Sequence, residues 1–267
     1  MTAPYIRRPW RSQPTGLAVV DPNSIFYPGV ESVWNGSTPA INLLNGTVFG
    51  LSGTAPIQAT PLGFGPQVSS AASYSQASLI SSSPWTIAAI IQPIAAISAS
   101  TDFIGSAQTV NSSTHDRSIS ITSTSHWAGY LYDGASKYAD SGITPVVNQV
   151  YFIVVWATGS VLGVNVNGTE ATIATSNSGA GYSGSFFIGT CSNASAGNFN
   201  VPLCIRANVA WDANQRNAFA AGNPWQVFTP QVRRTWIQGP QAAAAPYLPF
   251  QWWHDAGGGS MGAVLAQ

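Results

Sequence analysis

Val150-Tyr151-Phe152-Ile153-Val154-Val155-Trp156 is the most apolar run of the chain, bounded by Asn148 and Gly159. Seven residues are too few for a stable buried helix, and β-branched and aromatic side chains favour a pleated backbone, so the run reads as a central buried strand. A hairpin follows it. Val161 to Val166 leads into Asn167-Gly168 and returns as Thr169 to Ala174; Asn-Gly supplies the positive φ values that a two-residue turn requires. Alternation places Leu162, Val164 and Val166 on one face, and Val161, Gly163 and Asn165 on the other. That pattern predicts one packed face and one largely open face, as in antiparallel sheet.

Upstream, Trp85-Thr86-Ile87-Ala88-Ala89-Ile90-Ile91 reads as a second strand, stopped at Gln92-Pro93 because proline cannot donate to the ladder. Shorter strands are predicted at 117–121, 128–132, 185–188 and 202–209. Asn35-Gly36, Asn45-Gly46, Gly50 and Gly53 divide the region from Asp21 to Gly65 into short stretches. One helix is predicted over 212–221, with Asp212 as N-cap, Gln215 completing a capping box and Gly222-Asn223-Pro224 ending it. Many short strands with turns between them predict an all-β antiparallel sandwich, a jelly roll with one short helix and extended termini. The chain divides into a basic, Pro-containing N-terminal arm (1–20), a β-sandwich (21–237) and an Ala/Pro/Gly-rich C-terminal extension (238–267).

Only 7% of the 267 residues are charged, and nine basic residues balance nine acidic ones. Such a surface is hydrated by Ser, Thr, Asn and Gly, lacks the positive field that draws nucleic acid, and offers little repulsion between copies. Neither nucleic-acid binding nor membrane insertion is expected, since Gly, Ser, Asn and Pro interrupt every apolar run. The spacing of Cys191 and Cys204 leaves open whether they are bridged.

The order of the strand Trp85 to Pro93, the strand Tyr151 to Trp156 and the hairpin Leu162 to Gly168, with Ser185-Phe186-Phe187-Ile188-Gly189 after it, resembles concanavalin A-like, laminin-G-type jelly rolls. A second stretch, Ala220-Ala221-Gly222-Asn223-Pro224-Trp225-Gln226-Val227-Phe228 followed by Arg233-Arg234, resembles the closing segment of tailed-bacteriophage structural proteins with this fold. The resemblance covers about residues 25 to 230. It implies two sheets packed face to face and a virion component, of tail, fibre or capsid surface, assembled in the bacterial host cytoplasm with other virion proteins and with itself. The alternative is a carbohydrate-binding adhesin or receptor-binding protein that uses loops or an aromatic cleft of the jelly roll. Calcium, which many such domains bind, would fall to Asp102, Asp116, Asp133 and Asp140; no calcium-loop motif surrounds them, and no other cofactor is expected.

Catalysis is not expected. The glucanases of this fold need two facing carboxylates, whereas the chain has two glutamates, Glu31 and Glu170, in unrelated contexts. Ser113, His115, Asp116 and His126 could be drawn as a triad, but nothing orients a base towards a nucleophile, and they read better as polar loop residues. Zinc spacing is absent.

Two groups of residues point to binding. Trp127, Tyr130, Tyr132 and Asp133, beside His126, Lys137 and Tyr138, are the aromatic and hydrogen-bonding groups of a sugar site, or alternatively cross-strand core pairs. Arg7, Arg8 and Arg11 around Trp10, Arg233 and Arg234 before Trp236, and Trp252-Trp253 would make contacts with neighbouring subunits, or would clamp the termini onto their own domain.

Overall fold

The computed structural model describes residues 13–14, 18–69, 71–77, 84–97, 99–107, 115–176, 184–189, 198–221 and 223–229, together with the backbone of strands 5–8 and 231–234. Tyr5–Arg8 (β1) and Gln231–Arg234 (β17) pair as a two-stranded sheet. All other strands belong to two large antiparallel sheets that form a β-sandwich.

The larger sheet contains Val30–Asn35 (β2), Ile57–Thr60 (β4), Gly63–Val68 (β5), Trp85–Pro93 (β7), Tyr151–Ala157 (β12), Val161–Val166 (β13), Thr169–Ala174 (β14) and Phe199–Ala207 (β16). Its order is β14-β13-β12-β7-β16-β5-β4, with β2 also paired to β16. The second sheet runs Ser136–Asp140 (β11), Trp127–Tyr132 (β10), His115–Ile121 (β9), Thr101–Ala107 (β8), Ser185–Ile188 (β15), Ser73–Ala77 (β6) and Gly50–Ser52 (β3). The predicted strands and the Asn167-Gly168 turn are present, the two turn residues having φ of 51° and 91°.

Every residue of β7 is buried, and alternation explains how. Trp85, Ile87, Ala89 and Ile91 enter the core between the sheets with Tyr151, Ile153 and Val155 of β12. Ala88, Ile90, Val154 and Trp156 enter a second core on the far face. That second core is closed by the helix Ala213–Ala220 (α1), the 3-10 turn Pro224–Val227, and the segment around Phe26. Phe219 of α1 meets Phe26 and Trp211 edge-on or tilted, each with ring centroids 6.0 Å apart. The capping box forms as predicted: the Gln215 N–H donates to Asp212 Oδ1 (2.9 Å) and the Asp212 N–H to Gln215 Oε1 (2.8 Å).

The doubly covered sheet corrects the expectation of an open face on β13. Gly163 and Asn165 are buried, because Trp156, opposite Gly163 in the register, lies across that face. Arg216 of α1 then stacks 4.0 Å above the indole and pairs with Glu170 at 3.1 Å. At the opposite side, Gln13 pins the N-terminal segment to three strands, donating to Asn35 Oδ1 (2.7 Å), Phe64 O (2.6 Å) and Pro202 O (3.0 Å).

Candidate functional site

The second sheet turns one face inward and the other away from the first sheet, and the two faces differ in chemistry. On β10, Trp127 and Leu131 enter the core, so Ala128, Tyr130 and Tyr132 point outward. The register extends that outward face across the strands: Tyr130 lies between Ser118 and Tyr138, Ala128 between Ser120 and Asp140, and Tyr132 opposite Ser136. Asp102 of β8 lies opposite Ser120.

Trp127 is not on this face. It is fully buried, with ring centroids 5.8 Å from Phe103 and 5.3 Å from Tyr151. A ring with no exposed surface cannot stack on a sugar, which corrects the sequence expectation for Trp127: it is a core residue. Tyr130 is also buried (3% exposed) but faces outward and serves as a support, its ring 5.1 Å from that of Tyr138 and its hydroxyl 3.3 Å from Ser136 Oγ. Tyr138, at 36% exposed, and half-buried Tyr132 are the aromatic groups presented to solvent.

The polar groups around them are held in place. Asp102, almost wholly buried, accepts hydrogen bonds from Ser118 Oγ (2.9 Å) and Ser120 Oγ. Burial, and then the charge of Asp102, push the Tyr138 phenol up to about 12, so it remains a neutral hydrogen-bond donor at ordinary pH. Asp133, at the β10–β11 turn, accepts from the Ser176 N–H (2.9 Å) and Ser176 Oγ (3.0 Å); the Ser176 N–H is the main reason its carboxyl lies below the usual range. Asp140 accepts from the Gly142 N–H (2.8 Å) and lies 3.1 Å from His126 Nδ1.

The other predicted groups are dispersed. Asp116 pairs with Arg117 at 2.8 Å, and its neighbours in the imagined triad do not join it: His126 is with Asp140, and Ser113 and the His115 side chain lie outside the described residues. Glu31 pairs with Arg206 (2.7 Å) and Glu170 with Arg216, on strands five spacings apart in the large sheet, about 24 Å at ~4.8 Å per strand. The four aspartates considered for calcium have separate partners, and no group of three His, Cys, Asp or Glu side chains converges among the described residues. Cys204 is a free thiol in the core, while Cys191 lies outside the described residues.

Of the assembly candidates, Arg7, Arg8, Arg233 and Arg234 are described only as backbone of β1 and β17; Trp10, Arg11, Trp236, Trp252 and Trp253 lie outside the described residues. The Asn223-Pro224-Trp225-Gln226 stretch has an internal role. Pro224 is buried, and Trp225 and Val227 belong to the second core, with Trp225 stacked 6.5 Å from Phe228.

Sequence reading missed Asp102, Ser118, Ser120, Ser136 and Asp140 as neighbours of the tyrosines. Alternation along 136–140 carried part of the signal, since it places Ser136, Tyr138 and Asp140 on one face; the contribution of β8 and β9 depends on a register that local sequence does not state.

No family model matches the chain. No curated protein matches it either. Solved structures of the same fold do. The binding domain of paraclostridial mosquitocidal protein 1 is similar with a TM-score of 0.59 and 11% identity, over 72% of this chain and 52% of that one. Domain 4 of AbnA, an extracellular arabinanase from Geobacillus stearothermophilus, described in complex with arabinotriose, is similar with a TM-score of 0.56 and 12% identity over 72% of this chain and 98% of that domain. A structure of botulinum neurotoxin type C, whose cell entry is described as dependent on two ganglioside molecules, is similar with a TM-score of 0.55 and 13% identity. It is matched over 72% of this chain and 51% of its own length, so this chain spans about half of it. At these identities the likeness establishes the fold: an antiparallel β-sandwich of the jelly-roll type.

Proposed function

We propose that this chain is a non-catalytic carbohydrate-binding module that receives a glycan on the outward face of the β10–β11 hairpin. The observation that carries the reading is the exposed Tyr138 ring, backed by the buried Tyr130 ring 5.1 Å away and flanked on the same face of β11 by Ser136 and Asp140. An exposed aromatic surface stacks on the C–H face of a sugar, while fixed hydroxyls and carboxylates nearby bond its hydroxyls. Tyr27 and Phe64 are also exposed aromatics, but Tyr27 lies outside the strands and Phe64 of β5 is paired with Ala59 of β4.

The neighbours support this reading by example, since the arabinanase domain and the neurotoxin are described with arabinotriose and gangliosides respectively. The virion reading rests on the resemblance at Ala220 to Phe228, a stretch whose buried residues are occupied in closing the second core. A glycan array probed with the full chain and with Tyr138→Ala tests the proposal. Binding lost in a variant that melts with the parent supports it; array binding unchanged by Tyr138→Ala sinks the assignment of the site.

A further inference from the structure

The two margins of the sandwich are finished differently. At one, the β10–β11 hairpin meets β13 and β14: Ala139 is buried in the core between the sheets, Ala171 packs against that core, and Ser176 is bonded to Asp133. Asp133, Lys137, Asp140 and Glu170 lie along that side. At the other margin the large sheet ends at β4 and the second sheet at β3. There the register turns apolar side chains towards the core and still leaves them in solvent. Leu51 lies opposite Tyr74, a core residue, and Phe64 shares a face of β5 with Val68 of the core and lies opposite Ala59, on the face of Ile57. Leu51, Ile57 and Phe64 are 48%, 51% and 45% exposed.

The backbone of β4 is open as well. The Gln67 N–H donates to Pro56 O (2.9 Å), so by antiparallel alternation Gln58 and Thr60 spend their N–H and C=O groups on β5, while those of Ile57 and Ala59 point away from it. Phe64, opposite Ala59, accordingly turns its own N–H and C=O to the Gln13 side chain on the far side of β5. No strand among the described residues borders the outer edge of β4. The chemistry of this margin is uniform. From Ser32 to Thr101 the sequence contains no Asp, Glu, Lys, Arg or His, and β3, β4, β5 and β6 all fall within that span.

We propose that this margin joins two copies of the chain, β4 pairing antiparallel with β4 of the second copy about a two-fold axis at Gln58. In that register Ile57 of one copy faces Ala59 of the other, and each such pair exchanges two N–H···O=C bonds, so every outward backbone group of both residues is used. Open edges are ordinarily guarded by charge. Its absence here lets two copies meet without repulsion and without burying an ion, while a charged partner finds no counter-charge. Pro56 and Pro61 bound the pairing to four residues, and the two-fold consumes the edge on both copies, so the assembly closes as a dimer. Covering Leu51, Ile57 and Phe64 supplies the apolar share of the interface. The hairpin read as the glycan site is at the opposite margin, so the two readings are independent.

Sedimentation velocity of the full chain from about 1 to about 300 µM tests the interface. The expected result is a reversible shift of mass from 27.9 kDa to twice that, within this range and weakened less than about twofold between about 50 and 500 mM salt. Ile57→Lys, which puts a charge on the edge, and Ala59→Pro, which removes an outward N–H that β5 does not use, should each weaken the dimer about tenfold or more. Ile173→Lys, on exposed β14 at the opposite margin, should leave it unchanged. Thermal melts followed by circular dichroism identify a variant that has unfolded, and the other edge variant then decides. A chain that stays at 27.9 kDa throughout, a dimer indifferent to Ile57→Lys and Ala59→Pro, or open-ended growth beyond the dimer would overturn the proposal.

Discussion

Gly163→Ala is the substitution through which the doubly covered sheet can be tested most sharply. A Cβ built on Gly163 would lie inside the indole of Trp156, so the ring must move. It has little room, since Trp156 is 4% exposed, belongs to the second core and carries the Arg216 guanidinium 4.0 Å above it. Overpacking of this kind costs about 1–3 kcal/mol. Losing a partly desolvated cation–π contact adds about 0.5–1 kcal/mol, and replacing a strand glycine with alanine returns about 0.5 kcal/mol through backbone entropy. The net is about 2 kcal/mol, which for a domain of this size lowers Tm by about 4–8 °C in a calorimetric scan. In a Trp156→Leu background the same change should cost less than about 0.5 kcal/mol, because the obstruction is gone. A Tm within about 1 °C of the parent in the Trp156 protein would refute the reasoning, since it would mean the indole does not lie over Gly163.

Further outcomes follow from the same geometry. Trp127→Ala should destabilise the fold by about 3–5 kcal/mol in urea denaturation, because it empties a fully buried site between Phe103 and Tyr151; a loss below about 1 kcal/mol would contradict its core placement. Gln13→Ala removes three donated bonds that hold the N-terminal segment to β2, β5 and β16, and should cost at least about 2 kcal/mol in the same assay. Burial holds the Cys204 thiol well above its ordinary range, so its contribution to stability is complete below about pH 9 and is lost as pH rises beyond that, when the unfolded chain gains a thiolate that the native core refuses. Ellman's reagent should accordingly leave Cys204 unmodified until the protein unfolds, and rapid native labelling of that residue would count against the buried assignment.

The fold was readable where a strand's surroundings are written in its own residues. The run from Tyr151 to Trp156 is apolar at every position because both faces of β12 are covered, and β7 carries the same message in Trp85 to Ile91. Asp212 and Gln215 announced the helix by capping chemistry alone. Gly163 and Asn165 misled because a glycine and a polar residue look solvated by composition, whereas one makes room for a cross-strand indole and the other is buried beside it. The candidate site divides in the same way. Tyr130 and Tyr132 lie on the outward face and Asp133 is held in the turn by Ser176, but Trp127, one residue out of phase with Tyr130 and Tyr132, turns to the core. Asp102 and Ser118 reach Tyr130 and Tyr138 only through the pairing of β8 with β9 and β9 with β10, a long-range register that spacing along the chain cannot supply.

The most direct measurement is an NMR titration of protein labelled in its tyrosine and tryptophan rings with an oligosaccharide that binds on the array. The rings of Tyr138 and Tyr132 should shift in a saturable, dose-dependent way while that of Trp127 stays where it is. Saturable shifts confined to other rings, with Tyr138 and Tyr132 unmoved, would contradict the account.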